Sequence, residues 1–158
     1  MKPYSAFTLK SKDILNMLKT DVSIDSNIRD LNNTIDKDKH WVGLWDTGAS
    51  RSSIDKRVAD ELKLIPVGMG KISTANGQVS VNTYFVDLTL PNHVTIQNVL
   101  VTGADLGSDI DLLIGMDIIR HGDFTITNTN NSTTFSFRIP SVTEIDYVQE
   151  YNEQSGTN

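Results

Sequence analysis

The stretch Leu44-Trp45-Asp46-Thr47-Gly48-Ala49-Ser50 constrains this chain more than any other. Two apolar residues run into an acid, then a hydroxyl, then three small residues. An acid in that setting has a strand behind it and a tight turn in front. The turn needs glycine or another small residue wherever a backbone or a ligand comes close. The approach from His40 to Trp45 is β-favouring, with Trp41, Val42, Leu44 and Trp45 apolar and Gly43 marking a close backbone approach. Beyond the turn, Asp55 is placed to cap a short helix in which Val58, Ala59 and Leu62 share one face and Pro66 is the stop.

On either side of this stretch the pattern is mostly period two. Phe7 and Leu9 alternate as in a strand, while Ser11 with Ile14, Leu15 and Leu18 also fits a capped short helix. Leu18, Thr20, Val22 and Ile24 alternate and predict a strand over 18–24. Residues 25–39 are rich in Asp, Asn and Lys, with isolated Ile28, Leu31 and Ile35, and read as a loop with room for one helical turn. Residues 67–90 read as a long hairpin, polar at its tip Ala75-Asn76-Gly77-Gln78, where Asn-Gly supports a two-residue turn. Val94 to Val101 form a further strand region, and Gly103 to Asp109 a loop. Ile110 to Ile119 is an apolar strand broken by Gly115 and followed by a short helix. A last hairpin joins Phe124–Asn128 to Thr133–Ile139. Many short strands at hairpin spacing with one or two short helices predict a mostly β, small closed barrel.

Charge and composition exclude several function classes. The net charge is −6, and the segment from Ser141 onward supplies four of the six through Glu144, Asp146, Glu150 and Glu153, with no Lys or Arg. The near-neutral remainder lacks a basic stripe, so nucleic acid is not expected as a partner. The absence of cysteine excludes disulfides, thiolate catalysis and Cys-ligated zinc. His40, His93 and His121 are isolated, without metal-ligand spacing, and Gly103 to Asp109 lacks calcium-loop spacing. No metal or cofactor is expected. Met1 to Ser5 lacks the apolar core of a signal peptide and no apolar run reaches membrane-spanning length, so no membrane partner and a cytoplasmic location are expected. The length predicts one domain with a real core over 41–140, preceded by an extension over 1–40 and followed by an acidic, flexible tail over 141–158.

Three features in order carry a resemblance: Leu44 to Ser50, an Asn-Gly-tipped hairpin about thirty residues on, and Leu112-Leu113-Ile114-Gly115-Met116-Asp117, with Gly115 lying 69 residues after Asp46. Together they resemble the retropepsin-like aspartic proteases, over roughly Trp41 to Pro140. The resemblance implies a homodimer with one active site on its two-fold axis, in which Asp46 of each copy activates a shared water. The chain holds no second Asp-Thr-Gly or Asp-Ser-Gly, so the other acid must come from a second copy. It further implies that Thr47 bonds across the dimer axis, and that Ile114 and Gly115 brace the loop from beneath. Gly48, Ala49 and Ser50 would meet a peptide or protein substrate, and the 72–80 hairpin, with Thr74, Ala75, Asn76 and Gly77 at its tip, would be the flap above it.

The chain departs from the retroviral pattern in ways that look closer to cellular and bacterial members. Met116 stands where retroviral members carry an arginine, and Ser50 and Arg51 replace two acids. The alternative to an aspartic endopeptidase is a non-catalytic module that keeps the fold for binding or dimerisation. A third reading is a protease dormant until a terminal segment is removed.

Overall fold

The computed structural model describes residues 4–30, 32, 34, 36 and 38–156, with the backbone alone at Thr74. Leu31 and Ile35, singled out above, lie outside the described residues, as do Met1, Lys2 and Pro3. Strands β1 (Ser5–Lys10), β2 (Leu18–Asp25), β3 (Trp41–Trp45) and β4 (Ser53–Asp55) lead into helix α1 (Lys56–Glu61). The long hairpin is β5 (Gly68–Thr74) and β6 (Gly77–Leu90), followed by β7 (Val94–Ala104) and β8 (Leu112–Ile114). Helix α2 (Met116–Ile119), strands β9 (Asp123–Thr127) and β10 (Thr134–Ile139), and helix α3 (Tyr147–Ser155) complete the order. The chain is mostly β, as its alternation predicts.

Seven strands form one sheet in the order β2-β3-β8-β4-β7-β6-β5, and β2 also pairs with β6. A smaller sheet runs β1-β10-β9. Strand β3 lies parallel to β8, in the register Trp45 to Ile114. This parallel pair brings residues far apart in sequence side by side at the point where the chain leaves β3. Trp41, Gly43 and Trp45 point inward along β3, with Val22, Ile54, Leu88, Leu112 and Ile114 in the same core. Trp45 joins the two sheets: its ring lies 4.9 Å from Phe137 and 5.2 Å from Phe135 of β10. Its indole N–H donates to Thr20 Oγ1 at 3.0 Å, so the one polar atom of a buried ring is satisfied.

Several expectations change. Residues 11–17 form no helix, because Ser11 N–H donates to Thr133 O and Leu15 N–H to Thr133 Oγ1, both at 2.9 Å. Those backbone groups are spent on the β9–β10 hairpin and are not available to a helical turn. Helix α1 is capped by Asp55 as expected, but it ends before Pro66: Leu62 closes it and Lys63 turns left-handed at φ 54°. Gly103 and Ala104 continue β7 and do not start a loop, since β4 pairs with them through Ile54 and Asp55. Strand β2 runs one residue past 24, to Asp25. In the long hairpin Thr74 pairs with Gly77, so Ala75 and Asn76 form the loop and Gly77 takes the positive φ, 111°. The Asn-Gly pair is therefore displaced by one residue from the loop centre.

The acidic C-terminal segment contains a third helix, one more than expected. Asp146 accepts from the N–H groups of Val148 and Gln149, and Gly156 closes the other end at φ 65°. None of its residues is buried. The start of this segment is tied to β9, where Asp123 receives the Ser141 hydroxyl, Val142 N–H and Arg138, which together hold its carboxyl well below the usual carboxylate range. Among the described residues no helix is long and apolar enough to cross a membrane.

Candidate active site

Asp46 is the first residue past β3, and its setting begins with the parallel pair beneath it. Its N–H donates to Ile114 O at 2.9 Å, extending the β3–β8 ladder by one bond. The chain then reverses: Ala49 N–H donates to Asp46 O at 3.2 Å, and Gly48 N–H to Asp46 Oδ1 at 2.8 Å. One carboxylate oxygen is thus fixed by the turn, and the other has no partner among the described residues. A Cβ on Gly48 would sit 3.1 Å from that fixed oxygen, so a glycine suits the position. Asp46 is half-buried, while Thr47 and Gly48 are exposed.

The far side of the turn is fastened to the segment 114–118. Met116 N–H donates to Ala49 O at 2.8 Å. The Ser52 hydroxyl accepts from Gly115 N–H at 3.0 Å and donates to Asp117 Oδ1 at 2.7 Å. Asp117 Oδ2 accepts from Ser52 N–H at 2.9 Å. Ser52 is completely buried, and these bonds satisfy its polar groups. Gly115 permits the contact: a Cβ there would lie 2.8 Å from Ala49 O and 2.9 Å from Arg51 O. Met116 contributes its backbone to the brace, which explains how a methionine occupies this position without loosening the loop.

The fold therefore brings Asp46, Thr47, Gly48, Ile114 and Gly115 together. Ala49 and Ser50 follow on the same turn. Ala75, Asn76 and Gly77 sit apart, exposed at the end of the β5–β6 hairpin, with Thr74 in its last strand pair. Ser52 and Asp117 were missed by sequence reasoning. They lie 65 residues apart, and Asp117 reads only as an acid in the first turn of a short helix. A further depression of about 370 Å³ opens beside Asp46 and Thr47, lined by Met17, Leu18, Trp45, Phe124 and Ile126 among others. Among the described residues no three of His, Cys, Asp and Glu converge as metal ligands.

A strand-borne acid, a turn of small residues and a crossing glycine segment form the part of the chain that a known family describes. The sequence model of the family named Aspartyl protease matches residues 32–118, just over half of the chain. This chain belongs to the aspartyl protease family. The match spans both Asp46 and the bracing segment through Ile118. The fold is similar to that of a retropepsin-like aspartic protease from Rickettsia conorii, with a TM-score of 0.51 at 12% identity, covering 87% of this chain and 97% of that one. The retroviral protease-like domain of Ddi1 from Leishmania major has a TM-score of 0.44 at 18% identity, covering 77% of this chain and 92% of that one. The simian foamy virus protease has a TM-score of 0.44 at 14% identity, covering 65% of this chain and 92% of that one. No curated protein matches the chain by sequence.

Proposed function

We propose that this aspartyl protease family member is an endopeptidase that works as a homodimer, with the Asp46 carboxylates of two copies meeting over one water. The observation that carries the reading is the state of Asp46: one oxygen tied to Gly48 N–H, the other open, on a turn braced from below. The chain has one such acid, so a second copy must supply its partner. Exposed Thr47 and Gly48, beside the apolar depression that includes Met17 and Ile126, are suited to lie against that copy. The β2–β6 pairing supports the closed-barrel form of each subunit.

Two carboxylates about 3 Å apart cannot both ionise, so the pair holds one shared proton, as in aspartic proteases generally. The ionised carboxylate takes a proton from the water as the water oxygen bonds to the peptide carbonyl carbon. The protonated one gives its proton to the carbonyl oxygen. The resulting diol collapses, the C–N bond breaks, and the departing nitrogen receives a proton from the pair. Gly48, Ala49 and Ser50 would meet the substrate backbone from below. The 72–80 hairpin, with Thr74 to Gly77 at its tip, would close over it as a flap.

Mass-spectrometric profiling of a peptide library from pH 4 to pH 8 tests the reading. Wild type is expected to cut, and Asp46→Asn to lose on the order of 10²–10⁴-fold or more in rate with unchanged circular dichroism. A dimeric wild type that cuts nothing across that range would favour a non-catalytic binding module.

A further inference from the structure

Arg51 stands where two depressions meet beside the Asp46 turn. One, of about 590 Å³, lies between that turn and the outgoing strand of the hairpin, and Arg51, Met69, Lys71, Phe85 and Leu100 help to line it. The other, of about 360 Å³, includes Ser50, Arg51, Asp117, Arg120 and His121. Among the described residues Arg51, Lys71 and Arg120 form no salt bridge, as holds for most of the cations of this chain, and what sets these three apart is that they line the two depressions. The one acid lining either depression, Asp117, is already engaged by Ser52 and by Ile118 N–H. Cations without a neighbouring free acid therefore lie beside the turn that carries the candidate acid. Apolar surface accompanies them: Met69 is 74% exposed and Phe85 is 36% exposed.

We infer that this cationic, part-apolar depression selects substrates with an Asp or Glu side chain a few residues from the cleaved bond. The inference rests on the protease reading given above and names the substrate class for that same site. An extended peptide presents successive side chains to opposite faces, so one between the hairpin and the Asp46 turn offers alternate side chains to Arg51 and Lys71. The guanidinium of Arg51 can take a carboxylate through two parallel N–H bonds, which Lys71 cannot. Local positive potential at this depression also concentrates an acidic peptide at the cleft mouth.

The test compares paired peptides that differ by Glu or Gln at one position, scanned outward from the cleaved bond. At one position the Glu peptide is expected to show a kcat/KM about fivefold higher, the upper range for a solvent-exposed ion pair. The difference should lie in KM and shrink in 0.5 M NaCl. Arg51→Gln should bring the ratio near one, and Arg51→Glu should turn the preference toward a Lys peptide, which a purely structural role would not do. Lys71→Glu provides a second charge reversal on a different element. Cleavage with equal rates for Glu and Gln at every position would overturn the inference and leave the protease reading intact. Fluorescence anisotropy of the labelled peptides measures the same preference without turnover. Tighter binding of Glu, lost in Arg51→Glu, supports the inference even if nothing is cut, and equal binding overturns it.

Discussion

The Asp46 turn and the tip of the β5–β6 hairpin are both short reversals rich in small and polar residues, yet they are held in opposite ways. The turn is fastened at Asp46, Ala49 and Ser52 by bonds to Ile114, Met116, Gly115 and Asp117, with Ser52 completely buried. The tip has Ala75 to Ser80 exposed and is carried by its own two strands. Under the proposed function the first construction would hold the acid in place, and the second would let the hairpin open over a peptide, because few buried contacts mean a low cost of local opening.

The largest break in this contrast should come from Gly115→Ala. Its methyl group would press on the backbone of Ala49 and Arg51, which cannot move without displacing the turn. A stability loss of about 2–3 kcal/mol is expected in urea denaturation, with cleavage falling further than the folded fraction does. Ser52→Ala should cost somewhat less, about 1–3 kcal/mol, because it leaves the buried Gly115 N–H without an acceptor. If Ser52→Ala were neutral, the brace would be ornamental and the contrast between the two regions would fail. The smallest stability effect is expected at the tip. Val79→Ser, at a site 45% exposed, should change stability by no more than about 0.5 kcal/mol. Its consequence should instead appear as a higher KM for peptide.

Local features of the chain were readable and distant pairings were not. The apolar run into Asp46, the small residues after it and the Asp55 cap are written in neighbouring residues, and the fold places them as expected. Gly115 was marked by its interruption of an apolar strand, and its close approach to Ala49 and Arg51 gives the reason. Ser52 and Asp117 were invisible because each is an ordinary polar residue until the β3–β8 pairing makes them neighbours. The same holds for residues 11–15: Ile14, Leu15 and Leu18 fit a helix until Thr133, more than a hundred residues away, takes the backbone bonds. Helix α3 was not expected, because the segment beyond Pro140 has low apolar density; Asp146 at its start and Gly156 at its end are its local determinants.

The central claim is that a lone Asp46 is half of a site, and a dilution series tests it most directly. Sedimentation velocity and peptide cleavage are measured on the same samples from high to low protein concentration. Specific activity is expected to fall in step with the dimer fraction, and excess Asp46→Asn protein should suppress wild type by forming mixed pairs. Undiminished specific activity in samples that sediment as monomers would contradict the account.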